Sequence, residues 1–341
     1  MGAVVGWDIG GAHVKCARIE GDAVAAVRQI PCALWLGEDR LDGAVAAMAG
    51  VAGGASLHAV TMTGELAETF PTRAHGVRAI AERMARAIAP ARALIYAGRA
   101  GWLSPDEAGA MAADVASANW HASAAWAARR KPRALFIDIG STTTDIIALA
   151  DGVAARGYTD AERLTTGELV YTGVVRASLM SIAALAPFAG AMQRVAAENF
   201  STMADVYRLT GELRPEEDQH PASDGRGKSP AECRARLARM LGRDATDASD
   251  ARWDALARFF RERQIGALCE ATAQVLSGVE IGANAPVIGA GAGDFVIREI
   301  AARLARPYVD FGSLVGGENA RAASLCAPAV CVAMLARETA A

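Results

Sequence analysis

One motif occurs twice in this chain, and the second copy begins 130 residues after the first. Residues 5–15 are VGWDIGGAHVK and residues 135–145 are LFIDIGSTTTD. Each copy is an apolar strand that carries an aspartate, followed by a glycine-containing turn and a second strand. The pattern predicts two β-hairpins whose turns present backbone N–H groups. Two such hairpins, about half a chain apart, predict two similar domains that face each other across a cleft.

Length and composition agree with two domains. The chain has 341 residues, of which 52% are hydrophobic, and its net charge is −3. A near-neutral charge predicts no nucleic-acid partner and no anionic membrane partner. No apolar stretch is long enough to span a bilayer, and the N-terminus lacks a basic region typical of signal peptides. Six dispersed cysteines form no C-x-x-C pair and predict no cysteine-ligated metal site. The sequence therefore predicts a soluble, cytoplasmic protein; a homodimer is compatible with it, and the oligomeric state stays open.

Secondary-structure patterns divide the chain into an N-terminal domain, 1–130, and a C-terminal domain, 131–321. A helical and loop insertion is expected at about 190–255, and a C-terminal helix at about 322–338 is expected to pack back on the first domain. Hydrophobic patterning predicts short strands that alternate with helices. The expected segments are strands at 58–63, 93–97 and 286–288, a strand-rich patch up to Arg163, one or two helices within 105–130, and single helices at 73–88, 172–184, 192–207, 231–241, 253–277, 294–304 and 322–337.

The repeated motif carries candidate phosphate and metal ligands. Glycine lets the backbone approach a phosphate, turn N–H groups donate to it, and hydroxyl groups add donors. Carboxylates repel phosphate, so they are expected to bind Mg²⁺ or its water ligands, and Mg²⁺ then meets the phosphates. A D-x-G sequence is also a common turn, but two copies in matching frames favour the functional interpretation. The candidate phosphate ligands are Gly10, Gly11, Gly140, Ser141, Thr142 and Thr143, and the candidate metal ligands are Asp8, Asp138 and Asp145.

A third glycine-rich segment, VIGAGAGD at residues 287–294, runs from a predicted strand into a predicted helix. This frame fits a nucleotide or a diphosphate at a helix N-terminus, with Gly289, Gly291 and Gly293 as phosphate-binding candidates. On its own the segment is weak evidence for a phosphate-binding site, because glycine-rich turns between strands and helices are also common for packing reasons. A dinucleotide-binding Rossmann unit fits poorly.

Two phosphate hairpins followed by a late glycine-rich turn resemble the actin–hexokinase–Hsp70 superfamily. Five further strings narrow the resemblance: TMTGEL at 61–66, TRAHGV at 72–77, RLTTGELVYTGV at 163–174, ADVYRLTG at 204–211 and DGRGKS at 224–229. From Val4 to about Arg337, the chain resembles the hydantoinase/oxoprolinase-like proteins linked to tetrahydromethanopterin-dependent C1 transfer. The resemblance implies an α/β fold with two similar actin/hexokinase-like (ribonuclease H-like) domains and a cleft between them.

The resemblance also implies an activity. Archaeal members are methanofuran-pathway synthases, which condense (5-(aminomethyl)furan-3-yl)methyl diphosphate with the phenol of a tyramine derivative, release pyrophosphate and form an aryl ether. Bacteria that use the related cofactor methylofuran need the same bond. The implied partners are thus a small-molecule diphosphate and a phenol. The ancestral ATP-phosphate site would hold the diphosphate, so ATP hydrolysis is not required, and whether ATP binds stays open.

Roles for individual residues follow from this reaction. A phenol has a pKa near 10, so a carboxylate base is expected to take its proton; Glu65 is the first candidate, followed by Asp138 and Glu168. Charge on the leaving pyrophosphate calls for cations and N–H donors, to which His13, Lys15, Arg73, Arg226 and Lys228 are assigned together with Mg²⁺.

The segment from Pro215 to Pro230 is polar and rich in turn-forming residues. It is not a P-loop, because the first glycine of that motif is replaced by Ala222 and no strand precedes it. Arg226 and Lys228 in a mobile loop suit closure over a diphosphate; the alternative is a solvated linker.

Two other classes of function stay open at this point. One is an ATP-dependent small-molecule kinase or an oxoprolinase/hydantoinase-like ATP-dependent hydrolase. The other is a nucleotide-binding assembly protein like actin or Hsp70, against which the lack of a long appended domain argues. Consumption of ATP, as opposed to release of pyrophosphate from a furan diphosphate, distinguishes the transferase from the kinase or hydrolase.

Overall fold

The computed structural model describes residues 2–340, and within them it has thirteen strands and fifteen α-helices. The strands are β1 Val4–Ile9, β2 His13–Glu20, β3 Ala23–Pro31, β4 Leu57–Met62, β5 Arg92–Tyr96, β6 Trp102–Leu103, β7 Arg133–Ile139, β8 Thr144–Ala150, β9 Leu169–Val170, β10 Leu185–Phe188, β11 Ala191–Arg194, β12 Val287–Gly291 and β13 Tyr308–Asp310. The helices are α1 Asp39–Ala46, α2 Ala49–Ala52, α3 Arg73–Ile88, α4 Pro105–Ala108, α5 Ala112–Val115, α6 Asn119–Ala128, α7 Asp160–Thr166, α8 Leu179–Ile182, α9 Met203–Thr210, α10 Pro230–Arg239, α11 Asp250–Gly278, α12 Asp294–Arg303, α13 Phe311–Val315, α14 Ala320–Leu325 and α15 Ala327–Ala340. No helix in this range is long and apolar enough to cross a membrane.

The chain folds into two compact units. The first contains the residues up to Phe136, the segment Ile147–Arg163 and the residues from Val309 onwards. The second contains Ile137–Ile146 and Leu164–Tyr308.

A six-stranded sheet, in the order β3-β2-β1-β4-β5-β6, forms the framework of the first unit. Strand β1 is antiparallel to β2 and parallel to β4, and β4 is parallel to β5. Every residue of β1 is buried, as expected for a central strand covered on both faces. Helix α15 covers one face so closely that a Cβ at Gly6 would overlap the carbonyl oxygen of Ala329. The carboxyl ends of β1, β4 and β5 therefore share one edge of a well-packed sheet.

A five-stranded sheet, in the order β13-β12-β7-β8-β9, includes β9 and β12 of the second unit. Strand β12 runs directly into the glycine-rich turn before α12. The 29-residue helix α11 packs against the hairpin of β10 and β11, where the rings of Trp253 and Phe188 stack 4.5 Å apart. Helix α11 also packs against α9, through the hydrogen bond between Tyr207 and Gln264.

Several predicted elements are confirmed. Helix α3 has the predicted limits, and its N-cap Thr72 accepts a hydrogen bond from the backbone N–H of His75, as expected at a helix start. The strand Leu57–Met62 and the helix Asp294–Arg303 each lie within about one residue of their predicted limits. Between 105 and 130 the structure has three helices, not one or two.

The predicted helix at 192–207 is wrong in its first part. Residues 191–194 form strand β11, which pairs with β10 in a hairpin, and helix α9 begins only at Met203. Both turn residues, Ala189 and Gly190, have positive φ values of 50° and 81°. Such a turn favours the twist of a hairpin, but its usual sequence is Asn-Gly or Asp-Gly. Because alanine occupies the first position of this turn, the turn residues alone do not indicate a hairpin.

Two other predictions in this region are also wrong. The patch up to Arg163 was expected to be strand-rich, but α7 begins at Asp160, where Glu162 accepts hydrogen bonds from the backbone N–H groups of Tyr158 and Thr159. Within 172–184 only α8 is helical. The backbone N–H groups of Val174 and Val175 donate instead to the carbonyls of the second motif's turn, which holds this segment in an irregular conformation.

Candidate active site

The two copies of the repeated motif form the same turn. In the first unit the N–H of Gly10 donates to the carbonyl of His13 at 2.9 Å, and in the second unit the N–H of Gly140 donates to the carbonyl of Thr143 at 2.9 Å. Both pairs are separated by 130 residues from their counterparts. A Cβ on Gly10 would lie 2.9 Å from the carbonyl oxygen of His13, so the first turn requires glycine. The predicted strand–turn–strand repeat is confirmed.

In the first unit, the site candidates gather at the carboxyl edge of the parallel strands. Gly10 and Gly11 follow β1, and the 3₁₀ helix Gly64–Leu66 follows β4. A Cβ on Gly64 would lie 3.1 Å from the carbonyl oxygen of Ile9, which shows how closely the two segments pack. In sheets with parallel strands, ligands bind beyond the carboxyl ends of the strands. This edge is therefore the candidate active site of the first unit.

Asp8, at the end of β1, has two different oxygen environments. Its Oδ2 lies 3.2 Å from Nζ of Lys15, while its Oδ1 is buried and has no hydrogen-bond partner among residues 2–340. A buried carboxylate oxygen without a partner is costly unless a ligand satisfies it. A hydrated Mg²⁺ that uses one carboxylate together with substrate phosphates fits this oxygen, although Lys15 limits the net attraction for a cation.

The described residues contain no complete set of metal-ligating side chains around Asp8. Within residues 2–340, no three His, Cys, Asp or Glu side chains are grouped as a metal site. The metal-binding roles of Asp8, Asp138 and Asp145 stay predictions, as do the phosphate-binding roles of Gly10, Gly11, His13 and Lys15.

Glu65 is a buried carboxyl group in the first unit, and it lies just after strand β4. It is 1% exposed, and a Cβ on Gly76 of helix α3 would lie 2.7 Å from its backbone oxygen. Its Oε1 lies 3.0 Å from Oγ of Ser117, and its Oε2 is buried without a partner in the described part of the chain. Glu65 is thus held against the sheet edge with one oxygen available to a ligand.

Ser117 links Glu65 to a second buried acid. Its Oγ lies 3.1 Å from Oδ2 of Asp160, a residue that is 5% exposed. The same Oδ2 accepts a hydrogen bond of 2.7 Å from the guanidinium of Arg73. Arg73 was predicted to bind phosphate; the structure pairs it with Asp160, and its phosphate role stays a prediction.

Burial sets the proton affinity of Glu65. Desolvation raises the pKa of Glu65 from 4.5 to about 7, and the charge of Asp160 adds to the rise, while the hydrogen bond from Ser117 and the charge of Arg73 oppose it. A carboxyl with a pKa near neutrality is suited to general base catalysis at physiological pH. Glu65, the first of the predicted bases, has this property.

The raised pKa predicts a pH-dependent cost in stability. Because the folded pKa lies above the unfolded value, the protonated carboxyl is favoured in the fold, and this advantage is lost as pH rises from 4.5 through 7. A shift of this size corresponds to about 3 kcal/mol. We expect Glu65→Gln, which cannot ionise, to gain about that much stability relative to the wild type between about pH 4.5 and pH 8. Urea unfolding across this range measures it, with the exposed Glu68→Gln as control; parallel curves for wild type and Glu65→Gln would refute the shift.

The second unit has a comparable arrangement of backbone around its own motif. A Cβ on Gly291, whose φ is 86°, would overlap the carbonyl oxygen of Ile139 and Oδ1 of Asp138. The N–H of Gly293 donates to the carbonyl of Ile139 at 2.9 Å. The structure thus brings the glycine-rich turn against the end of β7. Gly289 instead packs under the ring of Tyr308, which is a packing reason for that glycine.

The hydroxyl residues of the second motif line its turn. Oγ of Ser141 lies 3.4 Å from Oγ1 of Thr142, and both residues are partly exposed. Gly173 approaches so closely that a Cβ there would overlap the backbone of Ser141. The roles of Ser141, Thr142 and Thr143 in binding phosphate stay predictions.

Glu168 is buried in the second unit, at 1% exposure, and its Oε2 accepts a hydrogen bond of 2.7 Å from Oγ1 of Thr166. Asp145 lies on β8, opposite Leu169 of β9. Neither the catalytic role of Glu168 and Asp138 nor the metal-binding role of Asp145 follows from these contacts.

The polar loop before α10 is fixed by charged contacts. Nζ of Lys228 donates to the carbonyl of Asp218 at 2.7 Å and lies 3.2 Å from its Oδ2. Arg226 is exposed. To bind a diphosphate, Lys228 has to exchange the Asp218 carboxylate for phosphate oxygens. The phosphate-binding role of Arg226 and Lys228 therefore stays a prediction that involves rearrangement of the loop.

We expect pyrophosphate with Mg²⁺ to protect the segment from Pro215 to Pro230 against proteolysis, because phosphate oxygens bound by Arg226 and Lys228 add contacts to those that already hold the loop. Lys228→Ala should weaken pyrophosphate binding by about 1.5–3 kcal/mol, as for one charge-assisted hydrogen bond. Calorimetry and limited proteolysis measure the two effects. Equal cleavage with and without saturating pyrophosphate would identify the segment as a linker.

Sequence reasoning missed Ser117 and Asp160. Ser117 has a positive φ of 53°, which is uncommon for a residue other than glycine and cannot be recognised from the sequence. Asp160 opens a helix with Glu162 two residues later, a pattern that indicates an ordinary helix start. Only the fold brings both side chains to Glu65.

Comparison with known proteins identifies the family. The profile of the hydantoinase/oxoprolinase family matches residues 56–339. The chain belongs to the hydantoinase/oxoprolinase family. The family predicted from the sequence motifs is thereby confirmed.

Two relatives in this family bear the same name, (4-{4-[2-(gamma-L-glutamylamino)ethyl]phenoxymethyl}furan-2-yl)methanamine synthase. The protein from Methanocaldococcus jannaschii is 31% identical over 242 residues, which cover 71% of this chain and 72% of that protein. The protein from Methanococcus vannielii is 30% identical over 115 residues, which cover 34% of this chain and 52% of that protein.

Solved structures bear on the fold. Nucleotide-free acetone carboxylase superposes with a TM-score of 0.52 at 10% identity, covering 86% of this chain and 66% of that chain. A ROK family glucokinase from Streptomyces griseus gives a TM-score of 0.48 at 14% identity, covering 99% and 100%. The predicted α/β class with two domains is confirmed by the sheets and the two compact units of the structure.

Proposed function

We propose that this protein is a transferase that joins the phenol of a tyramine derivative to a furan-methyl diphosphate. The main support is the similarity to the Methanocaldococcus jannaschii synthase, whose name describes a phenoxymethyl-furan ether. The bond in that name connects a phenol oxygen to the methylene carbon of a furan. A diphosphate on that carbon is a suitable leaving group, because the furan ring stabilises positive charge there.

Glu65 is the residue we assign to the acceptor phenol. At pH 7 only about one phenol in a thousand is ionised, so removal of its proton as the bond forms lowers the barrier. The buried Oε2 of Glu65 has no partner among residues 2–340 and can accept that proton. The phenol oxygen then bonds to the methylene carbon, the carbon–oxygen bond to the diphosphate breaks, and the electron pair leaves with pyrophosphate.

The leaving group requires positive charge and N–H donors. In this proposal, the N–H groups of the turn that follows β1 and the ammonium group of Lys15 donate to the diphosphate oxygens. A magnesium ion held at Asp8 would neutralise part of the pyrophosphate charge. The proposed chemistry does not require ATP, since the diphosphate of the substrate already supplies the leaving group.

We expect Asp8→Asn to abolish measurable turnover while the fold is retained. Asparagine keeps the shape of the side chain but can neither balance Lys15 nor provide an anionic metal ligand. Pyrophosphate release over a Mg²⁺ titration measures the effect, circular dichroism checks the fold, and the exposed Asp39→Asn serves as control. Asp138→Asn is expected to behave in the same way. Near-native rates for either variant at low Mg²⁺ would overturn the metal assignment of that residue.

The proposal is tested with the purified protein, a furan-methyl diphosphate and γ-glutamyltyramine. We expect a product with the mass of the ether and one pyrophosphate per ether, without dependence on ATP. Parallel reactions with tyramine and tyrosine, compared by kcat/KM, identify the preferred phenol. If ATP is consumed with no ether formed, a kinase or hydrolase is favoured; if nucleotide binding only drives self-assembly, the actin-like alternative is favoured.

A further inference from the structure

The hydroxyl group of Ser117 lies between two buried carboxyl groups. Its Oγ is 3.0 Å from Oε1 of Glu65 and 3.1 Å from Oδ2 of Asp160, both within hydrogen-bond distance. A serine hydroxyl has one hydrogen, so it donates to only one of the two oxygens at a time. The other contact is favourable only if that carboxyl is protonated and donates to Oγ. The geometry therefore retains one proton in the cluster.

The surroundings indicate which acid holds that proton. Asp160 accepts a hydrogen bond of 2.7 Å from Arg73, so its negative charge is compensated. Glu65 forms no ion pair among residues 2–340, and its Oε2 is buried without a partner. A buried negative charge on Glu65, which no cation compensates, therefore costs more than one on Asp160. The proton thus belongs on Glu65, while Asp160 is paired with Arg73.

Backbone strain at Ser117 supports a functional placement. A φ of 53° in a residue other than glycine is strained and persists only where the surroundings impose it. Hydrogen bonds hold the adjacent chain in place. The hydroxyl of Tyr158 donates to the carbonyl of Asp114 at 2.7 Å, and the N–H of Ala118 donates to the carbonyl of Val115. This segment holds the Ser117 hydroxyl between the two acids.

We propose that Ser117 and Asp160 are positioning residues for Glu65, which share its proton and set the pH at which it becomes a base. Deprotonation of Glu65 leaves two carboxylates competing for one serine hydrogen, so the ionised Glu65 is a stronger base than a solvated glutamate. The charged groups that face it are Asp160 and Arg73. The burial-raised pKa of Glu65 agrees with this arrangement. The inference rests on the proposed function only for the identity of the substrate whose proton Glu65 accepts.

The two positioning residues have opposite expected effects. Asp160→Asn removes a neighbouring negative charge and frees Arg73 to compensate Glu65, so the pKa of Glu65 should fall by about one to three units. Removal of the Ser117 hydroxyl deprives ionised Glu65 of a hydrogen-bond donor, so its pKa should rise. Ser117→Gly is the preferred variant, because glycine adopts the positive φ without strain; Ser117→Ala is a second variant.

The experiment is a pH titration followed by infrared spectroscopy. The carbonyl stretch of the protonated Glu65 carboxyl is identified as the band that Glu65→Gln abolishes, and its midpoint is measured in wild type, Asp160→Asn, Ser117→Gly and the exposed control Glu68→Gln. The acid limb of kcat/KM against pH is measured in the same proteins. Circular dichroism verifies that each variant is folded.

Opposite shifts of the infrared midpoint in Asp160→Asn and Ser117→Gly, with no shift in Glu68→Gln, support the proposal. Unchanged midpoints with lower rates would mean that both residues are only structural, and the proposal would be rejected. Because the infrared titration needs no substrate, it reports on this inference even if the protein makes no ether. Conversely, ether formation with unchanged midpoints rejects this inference and leaves the proposed function intact.

Discussion

Glu65→Gln is expected to lower kcat for ether formation by about 10²- to 10⁴-fold near pH 7, the usual contribution of a general base. Glutamine fills the same space against Ser117 but cannot accept a proton. The stability of the variant above pH 7 should exceed that of the wild type, because the cost of ionising a buried carboxyl is removed. Lost activity together with gained stability is a combination that a structural defect does not produce.

The acidity of the acceptor provides an independent check on the role of Glu65. A nitro-substituted or fluorinated tyramine analogue ionises near pH 7 and needs less help from a base. The kcat ratio between wild type and Glu65→Gln should therefore shrink as the phenol becomes more acidic. A ratio that stays constant across a series of phenols would show that Glu65 does not take the proton.

Arg236→Ala should destabilise the second unit by about 3–5 kcal/mol, the cost of leaving one partner of a buried ion pair uncompensated. Arg236 is completely buried and its guanidinium binds Asp205, which is 2% exposed, at 2.7 Å. It also donates to the carbonyl of Gly227 at 3.0 Å. The same substitution should therefore increase proteolysis of the loop that carries Lys228.

A matched control lies on the same helix. Arg234 is 17% exposed and pairs with Asp250, which is 75% exposed, and with Asp254, which is 26% exposed. Because solvent reaches these pairs, they contribute less than the buried pair of Arg236, so Arg234→Ala should lower the urea unfolding midpoint much less than Arg236→Ala. Similar losses in both variants would show that burial of the Arg236 pair is not what stabilises α10.

The repeat, and with it the fold, could be predicted because it depends on local pattern. An apolar strand, an acid, a glycine and a second strand specify a hairpin by themselves, and the hydrogen bonds of Gly10 and Gly140 repeat at the spacing seen in the sequence. Helix α3 was predicted to the residue because its cap, Thr72, and its hydrophobic periodicity agree.

Other elements could not be predicted because long-range contacts decide them. The segment at 172–177 was predicted as part of a helix, yet the N–H groups of Val174, Val175 and Arg176 donate to the carbonyls of Gly140 and Ser141. The hairpin of β10 and β11 turns through Ala189, which carries no turn signature.

The candidate site was only partly predicted, because long-range contacts also decide which side chains meet there. Glu65 was found from a family motif, and its position at the sheet edge follows from β4, the strand before it. Ser117 and Asp160 come from segments 52 and 95 residues away from Glu65 in the chain, and neither has a local pattern that indicates chemistry. The property that makes Glu65 a base, its burial beside a second acid, arises only in the folded unit.

The central claim is that the chain breaks a carbon–oxygen bond and makes an aryl ether, without transfer of a phosphoryl group. A furan-methyl diphosphate with ¹⁸O between the methylene carbon and the first phosphorus tests this claim in one reaction. The account predicts that all of the ¹⁸O appears in the released pyrophosphate and that the ether oxygen, which comes from the phenol, is unlabelled. Label retained on a furan-methanol, with phosphate or diphosphate transferred elsewhere, would contradict it.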